Sequence, residues 1–530
     1  MAKQISYQSL TDIGLNGLNT QSNPSSLDLS YLVKAENVVI RESGRIAFRK
    51  GLKQKVAPSG TSIASIHEHD DQGTNKIVVS YGTSIYVVDF TSPASAFPSS
   101  GADVKHTVSG SSGNWQFVNF NDRLHCFHAG IEPQRYDGSL SSGSRWTAHA
   151  TKPSTVSSNQ FKPTCGMGYY GRIWAGGVAE SPDVVYYSNL LDGDDWTGGD
   201  AGLIDLSKVW GIDDVIAIAP FYGKLVIFGK NNIVIYDRPE TVGSLALNEV
   251  IRGVGLVSRD TVQAIGDDLV FLSNTGLRSL GRTTEKDKLP LTDLSVNIKD
   301  TLIRNIGQSS NVKSVYVENE GIYIMSFVDK NITYVFDFKH FTPNNAPRIT
   351  TWTFDNNREP TSLSYTETYG LLVGQKDGGL AGYEGYYDTD LAGASTYSYS
   401  SYTSSIATTW INLGESIAAS FLKRLFLVLE GGSGATLGLK WYKDYSPSPS
   451  ETTSITLNPT TTGSTALWGA STSLYGKSGV TYKPIYGLHE YKTPLTGSAK
   501  NLKLEIDIES NGFDASLQDL TLLHKQGKIR

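Results

Sequence analysis

Cysteine is nearly absent from this chain of 530 residues, which has only Cys126 and Cys165. Two cysteines cannot form a disulfide framework, and no Cys-x-x-Cys or Cys/His set has the spacing of a zinc site. The two thiols could pair if the fold brought them together, but free cysteine is among the most buried residue types. We therefore expect two buried thiols rather than a disulfide.

Long apolar runs and an excess of positive charge are also missing. No stretch of 18 apolar residues occurs, and the opening MAKQISYQSLTDIGLNG has no apolar segment of signal-peptide length. We therefore expect a protein that is made in a cytoplasm and does not insert stably into a membrane. The formal net charge of −6 and the pI near 5.9 are not typical of proteins that bind nucleic acid through a basic surface.

What the chain does contain favours strands and tight turns. It has 53 glycines and 28 tyrosines. Aromatic side chains suit pleated sheets, and glycine accepts the positive φ angles of turns. The segment FYGKLVIFGKNNIVIYDRPE, at 221–240, has apolar residues in alternation on both sides of the turn GKNN. This period of two residues predicts a β-hairpin.

Related hairpins recur along the chain at intervals of roughly 40–55 residues. They lie at 75–90, 119–138, 169–189, 265–282, 318–338 and 367–385. A period of this size with about four short strands per unit is typical of β-propeller blades, because small sheets bury their faces by stacking radially. We predict an all-β fold with an irregular β-propeller of six or seven blades. Stacked sandwiches are the alternative.

The composition changes near residue 391, where the segment GASTYSYSSYTSSIATT begins a second series of strands. We predict an N-terminal arm at 1–30 that orders only against something else, a β-propeller at 31–392 and a C-terminal β-sandwich at 393–530. A short helix is expected at 295–306. The segment 416–430 begins like a helix, but its end is better interpreted as a strand.

An acidic, glycine-rich segment, LDGDDWTGGDAG, is one candidate site. It places Asp192, Asp194, Asp195 and Asp200 close together, and acidic residues on such a loop can bind calcium. The glycine and glutamate positions of an EF-hand loop are missing, however. A solvated turn is therefore the favoured interpretation.

Histidine pairs are a second candidate. His67 and His69 would share one face of a strand, and His125 and His128 flank Cys126. Such pairs bind metal only with further ligands, which the sequence does not indicate, so ordinary strand and turn histidines are favoured. Nucleophile-elbow, Walker and dinucleotide-binding motifs are missing. We predict no catalytic, cofactor-binding or metal-binding residues and a protein that is not an enzyme.

Three segments together resemble a known family. DIGLNGLNTQSNPSSLDLSYLVKAENVVIRESGRIAFRKGLK, at 12–53, joins a Gly-Leu-Asn element to a later Ala-Glu-Asn-Val…Ser-Gly…Arg pattern, and DVVYYSNLLDGDDW, at 183–196, carries an aromatic-Ser…Asp…Trp element. The β-rich end contains WINLGE, KRLFLVLEGGSGATLGLKWYKDY and LEIDIESNGFDASLQDLTLLHKQGKIR. In these segments the chain resembles the tail nozzle proteins of short-tailed bacteriophages, also called the tail tubular protein B family. It is shorter than the larger members, so some of their inserted domains are expected to be missing.

The resemblance implies a structural virion protein, assembled in the host cytoplasm, whose propeller is one subunit of a homohexameric ring at the distal end of the tail. Such a ring extends the DNA channel, retains the genome end and opens for DNA ejection into the host. The implied partners are further copies of the chain, the tail adaptor protein above it, and viral DNA that passes without sequence-specific binding. Tail fibres are a further candidate partner.

Two other function classes stay open at this point. The first is a glycan- or receptor-binding module of a tail fibre or tailspike-type protein, in which Trp441, Tyr442 and Tyr445 could stack on sugars. Packing at an edge or interface is the favoured interpretation of these aromatic residues. The second is a propeller hydrolase that acts on surface polysaccharide, since propeller enzymes gather single residues from several blades.

Overall fold

The computed structural model of the chain describes residues 5–41, 44–89, 96–98, 104–111, 113–157, 159–281, 293–309, 311–355, 357–391, 397–414, 419–432, 434–457 and 488–527. Strands dominate. Two α-helices have described bounds, α1 (Ser207–Trp210) and α2 (Lys299–Ile306), and α2 lies in the segment where a short helix is predicted. Among the described helices, none is long and apolar enough to cross a membrane.

The first 56 residues contribute strands to three different sheets. These strands are β1 (Ile5–Leu10), β2 (Leu32–Glu36), β3 (Val38–Ile40), β4 (Ile46–Phe48) and β5 (Leu52–Val56).

Residues 63–252 form four consecutive blades, each a four-stranded antiparallel meander. The first blade consists of β6 (Ile63–Asp71), β7 (Thr74–Tyr81), β8 (Ser84–Val88) and β9 (Lys105–Thr107). The second consists of β10 (Gln116–Phe120), β11 (Arg123–His128), β12 (Ile131–Asp137) and β13 (Trp146–Ala148). The third consists of β14 (Cys165–Tyr169), β15 (Arg172–Gly176), β16 (Val184–Tyr187) and β17 (Gly202–Asp205). The fourth consists of β18 (Val215–Phe221), β19 (Lys224–Gly229), β20 (Asn232–Asp237) and β21 (Ala246–Arg252).

A three-stranded sheet and two further blades complete the ring. The short sheet consists of β22 (Gln263–Ile265), β23 (Asp268–Ser273) and β24 (Gly276–Ser279). The fifth blade consists of β25 (Val312–Val317), β26 (Ile322–Phe327), β27 (Ile332–Phe341) and β28 (Pro347–Trp352). The sixth consists of β29 (Pro360–Thr366), β30 (Gly370–Gln375) and β31 (Leu380–Tyr383), with β5 as its fourth strand.

The N-terminal strand β5 closes the ring. It pairs antiparallel with β31, and the chain then enters β6 of the first blade. Val56 and Ile63 pack in one apolar cluster with Leu372 and Leu380 of the sixth blade. Because both ends of the propeller segment share a blade, opening the ring requires breaking that sheet. The predicted all-β class and β-propeller are thus confirmed, with six four-stranded blades and the short sheet between the fourth and the fifth.

The remaining strands belong mainly to two sheets that face each other across the largest apolar cluster. They are β32 (Asp388–Leu391), β33 (Tyr397–Ser400), β34 (Thr403–Thr408), β35 (Ile411–Asn412), β36 (Ser420–Gly431), β37 (Thr436–Lys443), β38 (Glu451–Thr456), β39 (Leu488–Pro494), β40 (Ser498–Ala499), β41 (Asn501–Glu509) and β42 (Ala515–Gln526). One sheet has the order β3-β4-β42-β36-β39, with β1 and β40 attached. The other runs β28-β2-β34-β41-β37-β38 and is continuous with the fifth blade. We call the two sheets the two-layer body.

The domain organisation differs from the prediction at both boundaries. Strand β1 pairs with β42 of the same chain, so residues 5–10 are not part of a free arm. Strand β2 joins the fifth blade to the two-layer body, and the predicted break at 392/393 falls between β32 and β33, which are neighbours in one sheet. The reason is physical, because a period of two residues identifies a strand but not its partner.

Candidate functional site

His125, on β11 of the second blade, contacts two residues that are distant in the sequence. Its Nδ1 atom lies 3.0 Å from Nε2 of His149, which follows β13. Oδ1 of Asp194, from the loop between β16 and β17 of the third blade, lies 3.7 Å from both nitrogen atoms. All three residues are buried. The interface of the two blades therefore holds two imidazoles and a carboxylate, which we call the His–Asp cluster.

Neighbouring side chains hold the His–Asp cluster on two sides. Arg135, on β12, donates to Oδ2 of Asp194. Trp196 Nε1 donates to Nδ1 of His149 over 3.0 Å. Because an indole N–H can only donate, a neutral His149 carries its proton on Nε2 and donates it to His125. The buried Oδ1 of Asp194 and Nε2 of His125 have no hydrogen-bond partner, so the cluster contains polar atoms that the protein leaves unsatisfied.

Asp194 is the acidic residue of its loop that turns inward. Asp192 is exposed and accepts from the backbone N–H of Asp194 at 3.1 Å, and Asp195 accepts from backbone N–H groups of its own turn. Asp200 is exposed and pairs with Arg172 at 3.4 Å. The predicted solvated turn therefore describes most of the loop but is wrong for Asp194. His149 and Trp196 were missed as neighbours, since they approach His125 only in the folded chain.

Burial controls the protonation of the His–Asp cluster. It lowers the pKa of His149 to about 3, and it lowers the pKa of His125 well below its ordinary value, with His149 and Arg135 adding to the effect. Burial also raises the pKa of Asp194, although Arg135 opposes this. Both imidazoles are therefore neutral at pH 7.

We expect the protein to lose stability as the pH falls from about 6.5 towards 3. In this window the unfolded chain protonates both histidines while the folded His125 and His149 stay neutral, so the free energy of unfolding decreases. Each such histidine contributes up to about 1.4 kcal/mol per pH unit. The raised pKa of Asp194 acts in the opposite direction at the acidic end. His149→Gln should make the pH dependence of unfolding shallower, and an unchanged slope would contradict the assignment.

The other histidines of the predicted pairs, and the two cysteines, are explained by packing. His69 is hydrogen bonded across to the second blade, and His67, on the same face of β6, packs against an aromatic ring of that blade. His128 packs against a tryptophan ring. Cys126 and Cys165 are buried free thiols, as predicted, and burial raises the pKa of Cys165 to about 12.

Two of the three aromatic residues proposed for sugar stacking are not accessible. Trp441 lies in the core of the two-layer body. Tyr442 is buried under Lys503, whose Nζ lies 3.9 Å from the ring centroid. Tyr445 is exposed but packs against Trp410 in a tilted arrangement, with the ring centroids 4.9 Å apart. The favoured interpretation, packing at an edge or interface, thus describes Trp441 and Tyr442 better than a sugar-binding surface does.

The axis of the propeller is crossed by charged side chains. A cavity of about 210 Å³ lies among the innermost strands β6, β10, β22, β25 and β29. Asp260, just before β22, lies 3.0 Å from Nε of Arg259 and 2.7 Å from Nζ of Lys313 on the fifth blade, and accepts from Asn114. Arg259 also donates to the carbonyl of Thr164. These contacts connect the short sheet to three blades across the centre of the propeller.

An exposed apolar patch lies at the hairpin ends of the third and fourth blades. It consists of Tyr170, Leu190, Leu191 and Tyr222, and we call it the hairpin-tip patch. A Cβ atom on Gly171 would lie 3.1 Å from Leu190 and 3.3 Å from Leu191, and one on Gly223 would lie 3.6 Å from the Tyr170 hydroxyl. Leu190 and Leu191 therefore lie beside the Tyr170-Gly171 turn, and the Tyr170 hydroxyl lies beside the Tyr222-Gly223 turn. Of each of the four side chains, 45 to 67% is exposed.

Three members of the hairpin-tip patch have an unfavourable backbone. The φ angles of Tyr170, Leu191 and Tyr222 are 47°, 58° and 47°. This left-handed region suits glycine or asparagine and costs a bulky side chain roughly 1–2 kcal/mol. Turn geometry therefore does not explain these residue types. Strained positions of this kind concentrate at functional sites, and contiguous exposed apolar side chains mark interaction surfaces.

Comparison with known proteins does not assign a family. No protein-family model matches the chain, and no curated protein matches it. Among solved structures, Raptor from Chaetomium thermophilum is 12% identical with a TM-score of 0.42 and matches over 63% of this chain and 30% of that one. BamB from Moraxella catarrhalis is 9% identical with a TM-score of 0.35, over 66% and 96%. The β-propeller domain of Cps50 (Swd1) from Myceliophteria thermophila is 10% identical with a TM-score of 0.39, over 62% and 98%.

Proposed function

We propose that this chain is a structural protein of a short bacteriophage tail, in which it forms the distal nozzle ring. The observation that carries the proposal is the hairpin-tip patch, because an exposed apolar surface whose residue types the backbone disfavours is best explained by association. The family resemblance at 12–53, at 183–196 and in the C-terminal strands supplies the identity of the assembly. In this proposal the patch contacts neighbouring copies of the same chain in the ring.

The arrangement of the fold supports a structural role. The sheet that joins the fifth blade to the two-layer body makes the chain a continuous β-structure without a flexible linker at that junction. Arg259, Asp260 and Lys313 cross the propeller axis. In the proposed assembly the DNA channel therefore runs between the subunits, on the axis of the ring, and not through the propeller.

Net charge supports a sliding contact with DNA. Six copies at −6 each give −36, and a ring with this net negative charge repels phosphates, so that the genome passes without sequence-specific binding. In this role the ring extends the channel below the adaptor, retains the genome end, and opens for ejection. A strongly basic lumen would contradict this part of the proposal.

The proposed role is not enzymatic, and its location is the virion tail after assembly in the host cytoplasm. The adaptor protein is the proposed neighbour above the ring, and tail fibres are proposed at its periphery. The alternative of a glycan-binding fibre or tailspike module has less support, because Trp441 and Tyr442 are buried.

Electron microscopy of the purified full-length protein and of its parent particle tests the proposal. We expect a closed six-fold ring, coaxial with the tail, whose contacts between subunits include the hairpin-tip patch. A trimer at the tail periphery would instead support the fibre hypothesis, and a monomer that cleaves glycans would overturn the nozzle role.

A further inference from the structure

We propose that His125, His149 and Asp194 form a binding site for one zinc ion between the second and the third blade. The ligand atoms would be Nδ1 of His125, Nε2 of His149 and Oδ1 of Asp194, which lie within 4.8 Å of one another. The inference rests on the geometry of the His–Asp cluster and does not depend on the proposed role in a phage tail.

The spacing of the three atoms fits the size of the ion. They form a triangle with sides of 3.0, 3.7 and 3.7 Å. The point equidistant from its corners lies about 2.0 Å from each atom, which matches the usual Zn–N and Zn–O bond lengths. That point lies in the plane of the three atoms. A tetrahedral ion with bonds of about 2.0 Å requires ligand separations of about 3.3 Å, so each side of the triangle must change by about 0.3–0.4 Å.

The donor set and its surroundings also favour a metal ion. Two imidazoles and one carboxylate are typical zinc ligands, whereas calcium and magnesium prefer oxygen alone. Oδ1 of Asp194 is buried, faces both imidazoles and has no hydrogen-bond partner. Arg135 holds the other carboxylate oxygen, which fixes the orientation of Oδ1 as an outer-shell group does in metal sites.

Gly193 allows the close approach of the two blades at this point. A Cβ atom on Gly193 would lie only 2.8 Å from Cε1 and 3.0 Å from Nε2 of His125. Glycine at this position therefore allows the loop to bring Asp194 against the imidazole. Three ligands from the protein leave the fourth position of a tetrahedral ion for water. An ion bound here would link adjacent blades and stabilise their interface.

Trp196 competes with the metal. Its indole N–H donates to Nδ1 of His149, which places the His149 proton on Nε2, the atom that must bind zinc. On zinc binding the proton moves to Nδ1, and the indole must turn away. Trp196→Phe removes this competition while keeping an aromatic ring, so it should bind zinc several-fold more tightly than the natural chain. A cluster that serves only as a hydrogen-bond chain would bind zinc in neither protein.

The experiment is a Zn²⁺ titration of the full-length, chelator-treated protein by calorimetry, with Co²⁺ absorption as a second readout. We expect one ion per chain, visible bands of tetrahedral Co²⁺, and a higher melting temperature with Zn²⁺. Asp194→Asn, which keeps the shape of the side chain, should weaken binding at least about 100-fold and abolish the thermal shift. His524→Gln, which removes a buried histidine of the two-layer body, should bind as the natural chain does.

Any one of three results would overturn the proposal. These results are that the natural chain binds no stoichiometric zinc, that zinc binds only to the Trp196→Phe variant, or that the Asp194→Asn variant binds zinc as tightly as the natural chain does. Should the Asp194→Asn variant fail to fold, X-ray absorption at the zinc edge of the natural protein decides the question. Two imidazole ligands in that spectrum support the site, and their absence refutes it.

Discussion

The triple variant Tyr170→Asn, Leu191→Asn, Tyr222→Asn should stay monomeric under conditions in which the natural chain forms rings, and should unfold at a higher temperature. Loss of assembly follows from the loss of three exposed apolar side chains from the hairpin-tip patch. Interface anchors of this kind contribute about 2 kcal/mol or more each, so the association constant should fall by more than about 1,000-fold.

The gain in monomer stability has a separate cause. All three positions have a positive φ angle, which asparagine tolerates better than tyrosine or leucine. We expect each substitution to stabilise the monomer by about 0.5–1 kcal/mol, after the loss of minor ring contacts such as the one between Tyr169 and Tyr170. Weaker assembly together with a more stable monomer would show that these side chains serve association, because the loss of ordinary packing contacts would make the monomer less stable.

Analytical ultracentrifugation measures the association, and calorimetry of the monomer measures the stability. Ile212→Asn is the matched control, because Ile212 is fully exposed and its backbone is not in the left-handed region. This control should show no gain in stability and should still assemble. Rings formed by the triple variant would show that the patch is not the contact surface. A lower melting temperature of the triple variant would show that backbone strain is not the reason for its special residue types.

Local signals explain why the propeller could be predicted from the sequence. The segment 221–240 contains β19 and β20, and its lead-in Tyr222-Gly223 provides the tight turn after β18. The same pattern at Tyr170-Gly171 precedes β15. Alternating side chains and turn residues are properties of neighbouring positions, so a repeated hairpin is visible in one chain without further information.

Partners that are distant in the sequence could not be predicted in this way. Strand β1 pairs with β42, and β5 pairs with β31, although nothing in a period of two residues specifies a partner. His149 lies in an unremarkable segment, and only the packing of two blades brings it to His125 and Asp194. The burial of Trp441 fits a local signal, since Leu437, Leu439 and Trp441 alternate along β37 and all belong to the core cluster, in agreement with the favoured packing interpretation.

Replacement of Arg49 should strongly destabilise the protein. Arg49 is completely buried where the N-terminal segment meets the sixth blade and the two-layer body. Its guanidinium donates to Asn37 at 3.0 Å, pairs with Asp388 at 3.4 Å, and lies 4.1 Å from the ring centroid of Tyr402. Arg49→Met leaves the buried Asp388 without its cation, so we expect a loss of about 3–5 kcal/mol in the free energy of unfolding.

A second substitution separates the charge from the packing. In Arg49→Met, Asp388→Asn the carboxylate charge is removed, while the amide oxygen can still accept from the backbone N–H of Leu52, which lies 2.9 Å from Oδ1. The double variant should therefore regain about 1–2 kcal/mol of the loss. Arg45→Met, which breaks a half-exposed pair with Glu430, should cost less than about 1 kcal/mol. Denaturant titration of the four proteins checks the order. If Arg49→Met costs no more than Arg45→Met, the buried pair does not hold the propeller to the two-layer body, and their shared sheet and apolar cluster must do so alone.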